Sequence, residues 1–551
     1  MPVLTWIGKE KVINHHMDVP FRVLEHSYGF DNGTQTDEET KSGNKIIHGD
    51  NLEALKALLP EYEGRVKCIY IDPPYNTGNE NWAYNDNVND PKLKKWLGQV
   101  VGKESDDLSR HDKWLCMMYP RLKLLHKLIS DDGAIFISLD ENETVHLRCM
   151  MNEIFGEGNF VAQITLLCNP KGRSQDKYFS TNHEYITIYS KNKLPKDSFS
   201  VIKDEALVAK EYKLKDEYGR YRLLELRNTH REFSKLNRPN LFYPFYINPK
   251  TGKVSLEQKD EFEIQVKPLW PDGFEGCWTW GKELSIKDNH LLIAQQVRGN
   301  WKVFRKNYSE SDDGENVKKK LFTIWQDPKF YTEKGQVTFG DIFPGFNKND
   351  FPQPKSVDLI TEIFKTCTNQ NDIVLDSFGG SGTTAQALLN LNKQDGGKRK
   401  FILIEMMDYA NSITSDRTKK AICGYGETEG MKGSFDFYEL GQPLFLEDGN
   451  LNEIVGSEKI RKFVYYTETK APLTEMKHKD NKHFLGKYND TGYYFNYEED
   501  GVTTLDHTFL STMKTKAEQY IIYADNCLLT KEYMTKHYIS FKKIPRDITR
   551  F

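Results

Sequence analysis

The sequence predicts an α/β protein: a mostly parallel sheet with helices on its faces, interrupted by an insert and followed by a mixed C-terminal domain. Three observations predict it. Short apolar runs alternate with segments of helical apolar spacing between about residues 45 and 190, as in strands joined by crossover helices. The alternation lapses over residues 200–345 and resumes from Ser356. Two of the apolar runs end abruptly in loops of special composition, Asp72-Pro73-Pro74-Tyr75 and Ser377-Phe378-Gly379-Gly380-Ser381-Gly382.

Taken in order, residues 30–44 (FDNGTQTDEETKSGN) are polar and read as a loop. Residues 45–48 form a short strand, 52–59 a helix, and 65–71 a strand that stops at the two prolines. Leu115, Met118, Leu122, Leu125 and Ile129 recur at helical spacing over 112–130. Asp131-Asp132-Gly133 ends that helix, 134–139 is a strand, 143–155 a helix and 184–190 a strand. Residues 200–345 are irregular, aromatic and charged, with turn clusters such as Asn248-Pro249-Lys250-Thr251-Gly252. Then Val357, Ile360, Ile363, Phe364 and Cys367 make a helical stripe, 373–375 a strand, 383–392 a helix and 401–404 a strand. A mixed segment rich in Tyr and Lys follows residue 425. The expected division is therefore 1–199 and 346–425 for the two parts of the core, 200–345 for the insert, and 426–551 for the C-terminal domain.

Composition narrows the class. A chain of 551 residues has room for about three or four domains. Its 31 Phe, 29 Tyr and 9 Trp exclude a mostly disordered polymer. No apolar run is long enough to span a bilayer, and the N-terminal MPVLTWIGKE has no signal-type apolar region. The eight cysteines are scattered with no CxxC pair, so no metal centre is expected and a reducing cytoplasm is. The net charge of −4 means that any nucleic-acid partner must be held by a local basic surface.

Two motifs carry chemistry. In Asp72-Pro73-Pro74-Tyr75 the prolines fix the backbone and remove two donors. What remains is a stiff loop offering acceptors, the Asp72 carboxylate and the Pro73 carbonyl, beside the Tyr75 ring. That suits an amino group on a flat heterocycle, which the acceptors hold while the ring stacks. The same tetrapeptide would also suit a plain strand-to-turn exit. The second motif runs from Asp376 through Phe378, Gly380, Ser381, Gly382 and Thr383, a strand leading through a Gly-rich loop into a helix. Glycines let a ligand approach the backbone, and a helix start offers free N–H groups. The loop lacks the Gly-Lys-Ser/Thr ending of an ATP-binding loop. Glu405 closes the next strand, where a carboxylate can accept from ribose hydroxyls. Structural turns and surface acids of this kind are common as well.

Together, and in this order, the motifs resemble the β-class amino-methyltransferases of DNA, and within them the modification (Mod) subunit of type III restriction–modification systems. The matching stretches include Leu4–Glu10, His48-Gly49-Asp50-Asn51-Leu52-Glu53-Ala54-Leu55-Lys56 and Asp72-Pro73-Pro74-Tyr75-Asn76-Thr77-Gly78-Asn79-Glu80. Lys113–Leu122, Asp132–Ser138 and His183-Glu184-Tyr185-Ile186 match too.

The resemblance implies a Rossmann-like methyltransferase core that moves a methyl group from S-adenosylmethionine to adenine N6 of duplex DNA, the base being flipped out. Asp72, Pro73, Pro74 and Tyr75 would form the catalytic loop. Asp50, Asn51, Lys355, Asp376, Phe378, Gly380, Ser381, Gly382, Thr383 and Glu405 would line the cofactor pocket. Where the family has Lys-Pro, this chain has Lys355-Ser356. Asp rather than Ser at the head of the tetrapeptide favours adenine over cytosine. The insert would recognise the target, with Arg238, Asn240, Arg298, Lys302 and Arg305 as candidate DNA contacts. A homodimer and a separate ATP-dependent restriction (Res) subunit are the implied protein partners. An adenine methyltransferase without a nuclease, or an inactive DNA-binding module, are the alternatives.

Overall fold

In the computed structural model, residues 3–77, 95, 98–99, 109–173, 176–310, 317–345, 351, 353–473 and 481–546 are described. Met1, Pro2, Gly78, Asn79 and Glu80, which belong to stretches quoted above, lie outside them. The chain forms two compact units, residues 1–198 with 322–551, and residues 199–321. Among the described residues no helix is long and apolar enough to cross a membrane.

The first unit is built on one sheet. Its elements, in chain order, are β1 (Arg22–Asp31), β2 (Thr34–Thr36), β3 (Lys45–His48), α1 (Asn51–Tyr62) and β4 (Val66–Ile71), then α2 (Arg110–Leu128), β5 (Ile129–Leu139), α3 (Thr144–Ile154), β6 (Phe160–Leu167) and β7 (His183–Ser190). They continue as β8 (Ile324–Trp325), α4 (Val357–Cys367), β9 (Ile373–Asp376), α5 (Thr383–Asp395), β10 (Lys400–Glu405), α6 (Asp416–Cys423), β11 (Ser434–Pro443) and α7 (Ser457–Thr469). The strand order is β8-β6-β7-β5-β4-β9-β10-β3-β11-β1-β2. The six central strands from β5 to β11 run parallel. Antiparallel pairs, β5 with β7 and β11 with β1, flank them.

The central strands are apolar because both faces are covered. Ile69 and Ile71 of β4 pack with Leu55, Leu58, Leu122 and Leu125 of α1 and α2. Cys68 and Tyr70 are buried on the other face. The helices begin where side chains satisfy their free N–H groups. Asp50 caps α1, accepting from Leu52 and Glu53 at 2.9 and 3.1 Å. Ser109 and Asp112 form a capping box on α2. Ser356 caps α4 and donates its hydroxyl to the Lys329 carbonyl at 2.7 Å, so serine has a structural use where the family has proline.

The architecture agrees with the sequence reading, and four details differ. The stretch expected to be a loop, 30–44, contains the end of β1 and all of β2, because Phe30 packs on Phe435 and the polar residues face outward on an edge hairpin. Strand β5 begins at Ile129, so Asp131-Asp132-Gly133 lies within a strand with an irregular start rather than in a turn. Residues 322–345, placed in the insert from sequence, belong to the first unit through β8 and the helix Thr332–Ile342. Strand β11 lies past residue 425 yet sits inside the parallel sheet, between β3 and β1, so the core runs to Pro443. Beyond it, α7 packs on a separate four-stranded sheet, and Phe463 meets Phe21 at 4.8 Å between ring centres.

The second unit, 199–321, holds a four-stranded and a three-stranded antiparallel sheet and a strand pair joining its two ends, Ser200–Ile202 with Lys318–Lys320. Leu226, Tyr243, Phe245, Trp278, Leu292 and Val303 form its core.

Candidate active site

The sheet order places the site. From β4 the chain crosses to β5 on one side, and from β9 it crosses to β10 on the other. The order therefore reverses between β4 and β9, and a crevice opens at their carboxyl ends, where open α/β sheets bind ligands. The two motifs read from sequence are the two loops that leave these strands. A cleft lies there, lined by Asp72, Phe351, Lys355, Asp376, Phe378 and Gly380 among others.

The loop after β4 is tightly held. Trp114 Nε1 donates to the Pro74 carbonyl at 2.7 Å. Asn76 has φ +57° and donates to the buried Glu143 carboxylate. That carboxylate also meets Nδ1 of His111 and of His146, each at 2.7 Å. His111, Glu143 and His146 offer ligand atoms within 4.8 Å of one another, but here both imidazoles bond to Glu143, which through Asn76 braces the loop after β4.

Around Asp72 three chain segments converge. Lys355 Nζ donates to Glu184 Oε2 at 2.7 Å and to Tyr75 Oη at 2.5 Å, and lies 3.4 Å from Asp72 Oδ1. Tyr75 donates its hydroxyl to the same Glu184 oxygen at 2.9 Å. Burial pushes the Asp72 carboxyl up to about 6; Lys355 pulls it down and the Glu184 charge pushes it up. Burial also acts to raise Glu184, but the Lys355 ammonium outweighs it and holds Glu184 below the usual range. Lys355 itself is lifted by the two carboxylates against the effect of burial. Lys355, a cofactor-pocket candidate from sequence, lines the cleft at the switch point and also reaches Asp72 and Tyr75 of the loop after β4. Glu184 was missed as a site residue. Its stretch, His183–Ile186, carries only the family resemblance, and no local pattern tells a buried Glu on a strand from an edge one.

On the other side of the switch point, Asp376 organises the Gly-rich loop. Its Oδ1 accepts from the Phe378 N–H at 3.0 Å and its Oδ2 from the Thr384 hydroxyl at 2.6 Å. Burial pushes its carboxyl up to about 7. Glu405 accepts from the Gly380 N–H at 2.7 Å and the Met407 N–H at 2.9 Å, so it braces the loop as well as facing it. The Ser381 and Thr383 hydroxyls both accept from Arg417, which is fully buried, at 2.7 Å. Gly382 has φ +80°, and a Cβ there would lie 2.7 Å from the Thr414 carbonyl oxygen. Its lack of a side chain is thus demanded by the protein's own packing. Asn51 reaches the loop by donating to the Ser377 carbonyl at 3.2 Å. Buried Arg121 holds both Asn51, at 2.5 Å, and Asp50, at 3.5 Å. Asp50 and Asn51 thus stand behind the Gly-rich loop.

A family model described as DNA methylase, for N6 and N4 methyltransferases, matches residues 66–415, which include both loops and the insert. The chain belongs to this family. The DNA methylase resemblance read from the sequence is thereby borne out, and the relatives agree with it. The chain is 36% identical over 396 residues to the type III restriction–modification enzyme EcoPI Mod subunit of Escherichia phage P1, covering 68% of this chain and 59% of that one. It is 35% identical to the type II methyltransferase M.KpnI of Klebsiella pneumoniae, covering 66% of this chain and 81% of that one. It is 32% identical to the StyLTI Mod subunit of Salmonella typhimurium, covering 66% and 53%. The chain thus spans between about half and three-fifths of the length of these two Mod subunits.

The candidate DNA contacts lie in the second unit. Arg298 is exposed at a hairpin turn with φ +51°. Lys302 and Arg305 lie on one strand, Asn300–Tyr308, three residues apart, and so project from opposite faces. Lys302 pairs with Glu225 at 3.1 Å, whereas the Arg305 guanidinium lies 5.9 Å from the Trp280 ring centre. The basic cluster read from sequence is therefore split by the strand. Arg238 and Asn240 are both exposed around a short turn of 3-10 helix.

Proposed function

We propose that the protein is an S-adenosylmethionine-dependent DNA methyltransferase that methylates adenine N6 and serves as the modification and recognition subunit of a type III restriction–modification system. One observation carries this reading. Asp72, an acceptor at the head of a proline-stiffened loop, shares a crevice with the Asp376 Gly-rich loop at the reversal of strand order.

The residues fit the cofactor. Asp376, Phe378 and the Gly380 backbone face the crevice, and Glu405 closes the neighbouring strand. S-adenosylmethionine, when bound, supplies a methyl group on a positively charged sulfur. The chain's own residues do the rest. Asp72 and the Pro73 carbonyl accept the two amino hydrogens of adenine. This draws the nitrogen lone pair out of the ring and aims it. Tyr75 stacks on the base, its hydroxyl held by Glu184 and Lys355. The base must leave the duplex to reach this loop, which costs a few kcal/mol. Stacking of about 1–3 kcal/mol offsets much of that. A further cleft, lined by Lys171, Arg173, Glu184, Glu333, Asp341 and Gln353 among others, reaches Glu184 and offers the flipped nucleotide an approach of mixed charge.

The test is tritiated methyl transfer to duplex DNA, followed by chromatography of the nucleosides. N6-methyladenine is the expected product; N4-methylcytosine, or no product, sinks the reading. The rate should also depend on pH. Protonated Asp72 cannot accept a hydrogen bond from the amino group. The rate should therefore fall as pH drops through about 6, by roughly tenfold for each further unit. A single-turnover pH profile at saturating cofactor that stays flat down to pH 5 would remove Asp72 from this role.

Target choice is assigned to the second unit, with Arg238, Asn240, Arg298, Lys302 and Arg305 as contacts. Exchanging residues 199–321 for the matching segment of a relative should change the methylated sequence and leave N6 chemistry unchanged. Sequencing that detects modified bases decides; an active chimera with the original site places recognition elsewhere.

Residues after Pro443 are assigned to dimerisation, DNA contact or docking of an ATP-dependent restriction subunit, in the cytoplasm. Truncations that test this must spare β11, a strand of the core sheet. A second reading, a methyltransferase that works without a restriction subunit, is favoured by the fuller coverage of the type II enzyme, 81% against 59%. Co-purification from the native cell separates the two.

A further inference from the structure

We propose that Glu184 is a positioning residue for methyl transfer: it anchors the Lys355 ammonium and the Tyr75 hydroxyl, and so keeps Lys355 from closing a tight ion pair with Asp72. This rests on the reading of the chain as an adenine-N6 methyltransferase and deepens it.

The geometry is specific. Lys355 has three N–H bonds to give and little water to give them to, its side chain being 12% exposed. Its two short contacts, to Glu184 and Tyr75, are at hydrogen-bond length, and its approach to Asp72 at 3.4 Å is the longest of the three. Charge-assisted N–H···O contacts run at about 2.7–2.9 Å, so the pair with Asp72 is held looser than it would be alone. One ammonium thus serves two carboxylates. Lys355 balances the Asp72 charge, and Glu184 takes the stronger bond. Glu184 also accepts from Tyr75, which fixes the ring that would stack on the base.

Removing the Glu184 charge changes this in a definite direction. The Lys355 ammonium, left with a single carboxylate, moves onto Asp72 and occupies the oxygen that the adenine amino group needs. The Tyr75 hydroxyl is left with a neutral amide oxygen in place of a carboxylate, a weaker acceptor. The groups that face Asp72 are Tyr70 of β4, Tyr75 of the same loop, Glu184 of β7, Lys355 ahead of α4 and Asp376 of β9. With Glu184 neutral, the balance around Asp72 shifts toward positive charge. Its carboxyl therefore holds its proton less tightly, and the acid limb of the rate moves to lower pH.

The experiment is single-turnover methylation of duplex DNA by the full chain, across pH, with Glu184→Gln and Glu184→Asp. Gln keeps the size of the side chain and removes only the charge. Glu184→Gln should be slower by roughly 10–100-fold at the plateau, the loss that follows a misplacement of about 1 Å. Its acid limb should lie below that of the wild type, and cofactor affinity by calorimetry should be unchanged. Glu184→Asp, which restores the charge, should recover part of the rate and the wild-type acid limb. A Gln variant with the wild-type rate overturns the proposal. So does a Gln variant that is slow with an unmoved acid limb, because a merely structural role would give that. If the wild-type chain forms no N6-methyladenine, the functional reading fails first and takes this inference with it.

Discussion

Asp72→Ala should bind S-adenosylmethionine and DNA with near-normal affinity yet transfer methyl groups slower by roughly two to three decades, the equivalent of about 3–4 kcal/mol of transition-state stabilisation. The selectivity follows from what Asp72 touches. The Gly-rich loop is organised by Asp376, Glu405 and Arg417 through Phe378, Thr384, Gly380, Ser381 and Thr383, and Asp376 feels Asp72 as a like charge whose removal relieves it. Lys355 would retain Glu184 at 2.7 Å, so the substitution does not strand a buried ammonium. Deleting a buried carboxylate whose proton affinity is raised by burial also removes a desolvation cost, and the fold should not suffer. What is lost is the charged acceptor for the amino hydrogen, whose worth grows as the nitrogen becomes nucleophilic. Asp72→Asn keeps one acceptor oxygen and should lie between Ala and the wild type. It should also lose the acid limb near pH 6, since Asn does not titrate in that range. Single-turnover assays across pH measure both effects. Wild-type transfer by Asp72→Ala would show that another group activates the amine.

Most of the sheet was legible because its strands are short apolar runs bounded by turn residues, and the two chemical loops lie at strand ends. Several elements were not. Strands β1 and β6 are half-exposed and polar on one face, so their alternation is weak against a loop background. Strand β11 is separated from the rest of the core by α6 and a turn, and only its place between β3 and β1 reveals that it belongs to the sheet. The site divides in the same way. Asp72, Pro73, Tyr75, Asp376 and the glycines are contiguous motifs, and local order announces them. Glu184, Arg121 and Arg417 act through contacts across 171, 70 and 36 residues of sequence, to Lys355, Asn51 and Ser381. A lone charged residue in an apolar run carries no sign of its partner. Lys355 was found by its position in a motif, but its link to Tyr75 spans 280 residues and needed the fold.

Gly382 marks where the physical reason for a residue moved from the ligand to the protein. From sequence, its use is close approach of a ligand to the loop backbone, so that Gly382→Val would abolish cofactor binding with the fold intact. In the structure, Gly382 caps α5 at φ +80°, and any Cβ would lie 2.7 Å from the Thr414 carbonyl oxygen. That neighbour is backbone, and it is tied down. Thr414 donates its hydroxyl to the Gly380 carbonyl at 2.6 Å, and its carbonyl accepts from Thr418 at 2.9 Å. Arg417, one turn on, clamps Ser381, Thr383 and Gln386. Even Ala at 382 must therefore bear the left-handed backbone, roughly 1–2 kcal/mol, and a forced shift of the 411–418 segment, about 1–3 kcal/mol more. Val adds β-branching to both. Gly396 provides the control, because it has φ +69° with nothing within 4 Å of its missing Cβ. Gly396→Ala should cost only the backbone share, roughly 1–2 kcal/mol, and leave cofactor affinity untouched. Gly382→Ala should be less stable than Gly396→Ala by about 1–3 kcal/mol in denaturant titrations. It should also lose at least tenfold in S-adenosylmethionine affinity by calorimetry, since Gly380 and Phe378 move with the loop. Equal stability of the two Ala variants, with normal cofactor binding at 382, would mean that the loop and the 411–418 segment are not locked together as their contacts imply.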